Sequence, residues 1–509
     1  MLANPLWVII AGALSSLSYA PLFWTPFFFL SYSFLAWNLY HHNTRPFFLG
    51  WLYGVGFFFA SLFWIGNSLF VDAKKFAWLW PIGAITFPSF LAAYPAMASW
   101  CIGLLTKKYK VSSMTFGLVF GLLFSLAEYA QGHFFTGFPW TVCAAIWVKS
   151  LSMAQMASQI GVYGLGLITW IILGMGIGIG LSKKILRKKI LHSMVLIVCP
   201  LMMIWTWGKI RLHTHKTHYH DKTLIRLVQP SMPIKECTDP FLYHQYAQKH
   251  FNCLLELSHT KTTQKPTCTL WPEGSFPWTL DQKDMHWIEK FNIPSLVIQS
   301  NYQNNGMLYN AVLLCPNGHF SKQMYIKNHL VPFGEYVPGR SILRSIIPEN
   351  YLKKITPGDT DFSPGHSQTT LHVHGCPPFI CAICYEIIFP QSIRRKDNPS
   401  AQWVFNPTND GWFGHSPGPY QHLSLVQLRA IECGLPIVRA ACSGISAVID
   451  PLGRLIQTIP LGKRAIQDVK LPKALAHTPF SRYGHTFYII FLIVFSIITF
   501  LFLINNIKK

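Results

Sequence analysis

The feature that most constrains this chain is a set of long apolar runs almost free of charge. A helix crossing a ~30 Å hydrocarbon core needs about 20 apolar residues. Runs of that kind cover residues 5–22, 25–40, 47–68, 80–105, 113–131, 160–181, 190–208 and 486–505, which predicts about eight spans. The first lacks a basic leader and is followed at once by more apolar sequence, so it reads as a retained span and not as a cleaved signal. Only 12% of residues are charged, against about a quarter in ordinary soluble chains. The deficit lies in these runs; the middle of the chain has a soluble composition.

The formal net charge of +22 invites a nucleic-acid reading. The basic residues instead cluster beside the apolar runs, as membrane topology requires, and no nucleic-acid partner is expected. Lys183, Lys184, Arg187, Lys188 and Lys189 lie between the sixth and seventh runs, Lys107, Lys108 and Lys110 after the fourth, and Arg45 after the second. Eight spans place all of these, with Lys508 and Lys509, on the cytoplasmic side; Lys74 and Lys75 dissent. The resulting division is a helical membrane domain of seven spans over 1–209, a catalytic domain over 210–480 on the opposite side, and a last span with its tail over 481–509.

The middle segment alternates strand-like runs (224–228, 295–300, 311–315, 378–383, 402–406, 437–441, 446–449) with helical stretches at 240–258 and 419–434, the pattern of an α/β enzyme. Three turn-rich segments concentrate reactive groups. Glu273 stands in Trp271-Pro-Glu-Gly-Ser-Phe-Pro-Trp278. Lys327 and Glu335 stand in Tyr325-Ile-Lys-Asn-His-Leu-Val-Pro-Phe-Gly-Glu335. Cys384 stands in Ile380-Cys-Ala-Ile-Cys-Tyr-Glu386, at the end of a strand-like run whose alternation puts Cys381 and Cys384 on opposite faces. Taken singly, these residues read as a packing cysteine, a capping glutamate and a solvated lysine. Together they are chemically complete. A thiol attacks a carbonyl as thiolate, a desolvated carboxylate can take its proton, and an ammonium can stabilise thiolate and oxyanion. A backbone N–H beside Cys384 would be a second oxyanion donor. The histidines 213, 215, 218 and 220 read as a polar linker and not as a metal site, and no metal or cofactor is expected.

The three segments, in this order, resemble those of the nitrilase, or carbon–nitrogen hydrolase, superfamily. With the apolar runs around them, the chain resembles the membrane-bound apolipoprotein N-acyltransferase family. Further matching stretches are Gly137-Phe-Pro-Trp140, Gln155 with Gly161-Val-Tyr-Gly164, Asn406-Pro-Thr-Asn-Asp-Gly-Trp-Phe-Gly414, Gln421-His422, Arg429-Ala430 and Arg439-Ala440. The resemblance implies an αββα sandwich beside the membrane helices, with Glu273 as general base, Lys327 as transition-state stabiliser and Cys384 as nucleophile. It also implies supporting roles for Glu335, Tyr385 and Glu386, with Asn409 and Trp412 as candidate substrate contacts. The implied reaction carries an acyl chain from a phospholipid, phosphatidylethanolamine foremost, through a Cys384 thioester to the α-amine of a lipoprotein's diacylglyceryl-cysteine. The implied place is the bacterial inner membrane, with the catalytic domain on the periplasmic side. The sequence departs from the family where the segment after Gln229-Pro230 is shortened and no tryptophan stands near Lys235 (Glu236 and Cys237 follow it). It departs again where Cys442-Ser443 replaces an asparagine-containing pair. A membrane-tethered amidase acting on a small amide, or a transporter or scaffold built around Glu128, are the competing readings. Arg340–Lys354 alternates basic and apolar residues as an interfacial helix does.

Overall fold

The computed structural model of the chain describes residues 4–507 apart from 43, 72, 110, 233, 235–239, 282–290, 294, 317–318, 347, 349–353, 355–359 and 395–396. The shortened segment near Lys235 thus lies outside the described residues, as does most of the stretch read as an interfacial helix. Of that stretch, Arg340–Leu343 is one helical turn.

Six helical segments among the described residues are long and apolar enough to cross a membrane: Pro46–Phe70, Ala77–Lys108, Ser113–Gln131, Ala157–Leu181, Leu186–Thr214 and Thr486–Ile504. The first two predicted spans form shorter apolar helices, Pro5–Ser15 and Pro26–His41. The second of these rises only about 24 Å, because Pro26 starts it and the chain turns through Tyr19–Thr25 before it. Small residues let the helices touch backbone to backbone, which is how membrane helices gain packing where no hydrophobic force drives them together. A Cβ on Gly117 would meet the Gly174 carbonyl oxygen at 1.9 Å, and one on Gly174 would meet that of Gly117 at 2.1 Å. Gly12 and Gly56 join the helices Pro5–Ser15 and Pro46–Leu62 in the same way. Glu128 is internal, its carboxylate accepting from Trp170 Nε1 at 2.8 Å and the Cys143 N–H at 3.1 Å.

The α/β part contains eleven strands among the described residues: β1 Tyr219–Gln229, β2 Cys268–Leu270, β3 Leu296–Asn304, β4 Met307–Cys315, β5 Met324–Ile326, β6 Phe379–Cys381, β7 Trp403–Thr408, β8 Ile437–Ala441, β9 Ser446–Ile449, β10 Leu455–Ile459 and β11 Ala465–Pro472. They form a six-stranded sheet in the order β11-β1-β2-β3-β4-β5 and a five-stranded sheet in the order β10-β9-β8-β7-β6. Alternation sorts each strand's side chains between two layers. Phe379 and Cys381 of β6 face the core between the sheets, with Leu227, Val297 and Val312 of the other sheet. Ile380 faces outward, toward helix Gly418–Cys433. Helix Pro240–His259 covers the six-stranded sheet through Phe251 and Leu254. The architecture is therefore an αββα sandwich beside a polytopic helical bundle.

The bundle and the five-stranded side share one apolar core, which runs from Phe28, Phe124 and Trp170 to Ile380, Val404 and Val426. Polar contacts mark the seam. Trp140 Nε1 donates to Gln421 Oε1 at 2.9 Å, Gln421 Nε2 to the Ser61 carbonyl at 3.2 Å, and Gln155 Nε2 to the Leu452 carbonyl at 2.9 Å. Helix Ala157–Leu181 breaks at Gly161, whose φ of 73° only glycine adopts readily. The Val162 N–H there donates to Glu432 Oε1 at 2.6 Å. The histidines read as a linker are divided: His213 ends helix Cys199–Thr214 and His220 lies in β1, so only 215–218 connect them.

Filling the contact between Gly117 and Gly174 should be costly, because backbone cannot yield as a side-chain tip can. Gly174→Val is expected to destabilise the chain by about 1–3 kcal/mol or more, read as a lower thermal midpoint in detergent. An unchanged midpoint would show that the two helices do not touch there.

Candidate active site

The reactive residues follow strand ends. Glu273 comes after β2, Lys327 directly after β5, Cys384 after β6 and Asn409 directly after β7. The six-stranded sheet thus supplies the acid and the cation, and the five-stranded sheet supplies the thiol.

Cys384 opens a 3₁₀ turn, Cys384–Ile388, with φ of 48°. That conformation costs a non-glycine residue about 1–3 kcal/mol, and each neighbouring backbone group is held to maintain it. The Ala382 carbonyl accepts from Asn406 Nδ2 at 2.6 Å, and the Ile383 N–H donates to Glu386 Oε2 at 2.8 Å. The Cys384 carbonyl oxygen lies 3.3 Å from His422 Nε2. The strand's alternation stops at Cys381, so Cys384 packs against the same inter-sheet core as Cys381. The expectation of opposite faces is corrected on that point.

Lys327 is 1% exposed, its Nζ 2.9 Å from Glu335 Oε1 and 3.7 Å from Glu273 Oε1. Burial alone would lower its pKa, but Glu335 and then Glu273 outweigh burial and hold it raised, so the side chain stays an ammonium. Glu273 accepts from Asn310 Nδ2 at 3.1 Å and from the Asn409 N–H at 3.1 Å. Burial raises the Glu273 pKa; Lys327 opposes this, Glu335 adds to it, and a hydrogen bond from the Cys384 thiol lowers it. The Cys384 thiol is itself pushed well up by burial and by Glu273 against the pull of Lys327. The thiol is therefore neutral at rest and faces the Glu273 carboxyl group, with an ammonium beside both. That set can move a proton from sulfur to carboxylate as sulfur bonds to a carbonyl carbon.

Around this set the predicted supporting residues occupy distinct places. Glu335 takes Lys327 Nζ and Asn310 Nδ2 on one oxygen and the Val331 N–H on the other. Glu386, 1% exposed, accepts from the N–H groups of Asn328, His329 and Ile383 and from the Tyr325 hydroxyl. Tyr385 reaches into the membrane part, its hydroxyl donating to the Gly137 carbonyl at 3.1 Å. Asn409 meets Glu273 through its backbone N–H only, its side chain being turned to the Gly411 N–H. Trp412 lies half-buried in the turn Asp410–Phe413, whose Phe413 ring packs 4.5 Å from Trp64 of the bundle.

Two groups had no role assigned from the sequence. Asn310 on β4 bridges Glu273 and Glu335, and Gln299 on β3 orients it by donating to Asn310 Oδ1 at 2.7 Å. The signal was there: two amides inside apolar strand runs need buried partners. The second is the fully buried set Asp410, His422 and Arg439. Arg439 binds Asp410 Oδ2 at 2.6 Å and Asn406 Oδ1 at 2.7 Å, and His422 Nδ1 lies 2.9 Å from Asp410 Oδ1. Burial pushes Asp410 up, but Arg439 and His422 overcome it and lower its pKa to about 2. The set thereby keeps its charge while bracing the Cys384 turn. Among the described residues no group of three or more histidine, cysteine, aspartate or glutamate side chains could hold a metal ion.

Comparison with known proteins agrees over nearly the whole length. Residues 11–175 match the apolipoprotein N-acyltransferase N-terminal domain and residues 289–477 the carbon-nitrogen hydrolase family. The apolipoprotein N-acyltransferase of Rhodopseudomonas palustris is 32% identical over 94% of this chain and 91% of its own length. That of Rickettsia prowazekii is 30% identical over 96% of each chain. A solved CN-hydrolase superfamily protein from Xanthomonas campestris is 18% identical over 50% of this chain and 92% of its own, with a TM-score of 0.34. The chain belongs to the apolipoprotein N-acyltransferase family.

Proposed function

We propose that the chain transfers an acyl chain from a phospholipid, through a thioester on Cys384, to the α-amine of a lipoprotein's N-terminal diacylglyceryl-cysteine. The observation that carries the reading is a thiol on a braced turn, facing a carboxylate and a buried ammonium, in a domain whose core continues into a membrane bundle. The relatives at 30% identity or more that bear this enzyme's name support it.

In the first half-reaction Glu273 accepts the Cys384 proton as sulfur attacks the ester carbonyl carbon. The tetrahedral oxyanion forms beside Lys327 Nζ, with a backbone N–H of the Cys384 turn as second donor. The ester C–O bond then breaks, and the glycerol oxygen leaves with the proton from Glu273 as a lysophospholipid. In the second half-reaction the α-amine attacks the thioester and Glu273 takes its proton. The C–S bond breaks, the thiol is restored and an amide is released. Glu335 fixes and charges Lys327, Glu386 and Tyr385 hold the turn, and Asn409 and Trp412 border the acyl substrates. Transfer instead of hydrolysis requires that water be kept from the thioester; a Cys384 only 9% exposed beside a Lys327 only 1% exposed suits this. The donor we favour is phosphatidylethanolamine, giving up its sn-1 chain. The site we favour is the periplasmic face of the bacterial inner membrane, given the basic clusters assigned to the cytoplasmic side.

Mass spectrometry of the purified enzyme with phospholipid should find a fatty acyl thioester on Cys384, absent in Cys384→Ala, whose transfer should fall by several orders of magnitude. Full N-acylation of a diacylglyceryl peptide by Cys384→Ser would sink the mechanism. Free fatty acid in place of the amide product would mark a hydrolase.

The pH profile tests the base. Glu273 works as carboxylate, so kcat/KM should fall as pH drops through its raised pKa, above the ordinary glutamate range. Glu335 is one of the groups raising that pKa, so Glu335→Gln should move the acid limb to lower pH. The same change removes the 2.9 Å partner of Lys327 and should lower kcat. An acid limb that stayed in place would remove Glu273 from the base's role.

A further inference from the structure

Where the α/β layers meet the bundle, several buried polar groups lack partners among the described residues. Arg429, on helix Gly418–Cys433, is fully buried, and none of its three guanidinium nitrogens makes a hydrogen bond among the described residues. Its ionic contact is Glu432 Oε2 at 3.0 Å, in a geometry that forms no hydrogen bond, while the other Glu432 oxygen is taken by the Val162 N–H. The Tyr163 hydroxyl, both ring nitrogens of His485 and Arg394 Nε are likewise buried without hydrogen-bond partners among the described residues.

These groups converge. The Tyr163 and His485 rings are 5.3 Å apart, and His133 lies 5.4 Å from Tyr163 and 5.8 Å from His485. A Cβ on Gly484, the residue before His485, would meet Arg394 Nη1 at 2.8 Å. His133, Arg429 and Arg394 are the titratable and charged groups that face His485.

Arg429's three nitrogens and Arg394 Nε are buried donors here, while the two buried carboxylates near Tyr163 are already engaged, Glu128 by Trp170 and the Cys143 N–H and Glu432 by the Val162 N–H. The other acid near Arg394, Asp397, is 58% exposed and 3.9 Å away. Glu432 balances the Arg429 charge without taking its N–H groups, so what the cluster lacks is acceptors, and leaving buried donors unmade is costly. An oxyanion with several acceptor oxygens supplies them together, and guanidinium forks fit a tetrahedral phosphate. The surroundings expose apolar and aromatic side chains: Phe134 is 63% exposed, Tyr483 57% and Ile489 47%, and the apolar helix Thr486–Ile507 starts here.

We propose that Arg429, Arg394, His485 and Tyr163 form a binding site for a phosphate oxyanion, carried by a phospholipid whose chains lie along the C-terminal helix. The site shares no residue with the Glu273–Lys327–Cys384 group and does not depend on acyl transfer.

The test uses the full chain, delipidated in detergent, and follows thermal unfolding with dihexanoyl phosphatidylglycerol, inorganic phosphate or phosphate-free dihexanoylglycerol. The short-chain phospholipid should raise the midpoint saturably, and dihexanoylglycerol should not. Arg394→Gln with His485→Gln, which leaves the Arg429–Glu432 pair intact, should weaken the response about 10-fold, as expected when charge-assisted contacts are lost. Native mass spectrometry before delipidation should find one retained phospholipid on the wild type and less on the variant. A response to inorganic phosphate without one to the phospholipid would keep the anion site and overturn the lipid as its source. No response of the wild type to either phosphate probe, or an equal one to dihexanoylglycerol, would overturn the site.

Discussion

The Glu386 carboxylate is the contact on which the rest of the site depends. It stands two residues after Cys384 yet binds the N–H groups of Asn328 and His329, which follow Lys327 directly. It also binds the Ile383 N–H and the Tyr325 hydroxyl, so one buried charge ties the ends of β5 and β6, strands of different sheets. Hydrogen bonds to a charged group are worth about 1.5–3 kcal/mol each, and removing their acceptor orphans the buried donors. Burial raises the Glu386 pKa, Lys327 and the donors opposing it. The ammonium and the carboxylate that fixes its distance from the thiol thus stabilise each other.

A second set of charges does similar work from the opposite side. Asp410, His422 and Arg439 brace the Cys384 turn from the turn after β7, helix Gly418–Cys433 and β8, while Asn310 and Gln299 hold the two glutamates from β4 and β3. Each reactive group is therefore positioned by a residue on a different strand or helix. This is how short turns can hold geometry that loops alone would lose.

Much of this was legible in the sequence because it follows from local rules. Ile437–Ala441 and Ser446–Ile449 were predicted with the bounds they have in the structure, since β-branched runs between breakers leave little choice. The thiol at a turn after a strand could be read from Cys384 standing at the end of an apolar run. Its relation to Cys381 could not: alternation holds only while the strand lasts, and the left-handed φ that ends it comes from tertiary hydrogen bonds. Hydropathy runs the first span on to residue 22, past the helix end at Ser15, because it does not register a turn at Tyr19–Thr25 made of apolar residues; the second, 25–40, lies within a residue of Pro26–His41. Asn310 looked like one amide in an apolar strand, because its importance arises only when β4 brings it between two glutamates distant in sequence.

The break at Gly161 has a mechanical consequence. An unbroken helix would keep its amides for its own turns; here the Val162 N–H is given to Glu432 of the α/β layers, inside an apolar core common to both parts. That bond, with those of Gln155, Trp140 and Tyr385, welds the sandwich to the bundle at separate points around its base. A weld of this kind fixes the Cys384 turn relative to the bundle, so in the proposed reaction the site does not swing out to its substrates. Both must come to it by drifting within the membrane plane, and encounter is then set by how crowded the surface is with lipid and lipoprotein, not by concentration in the surrounding water.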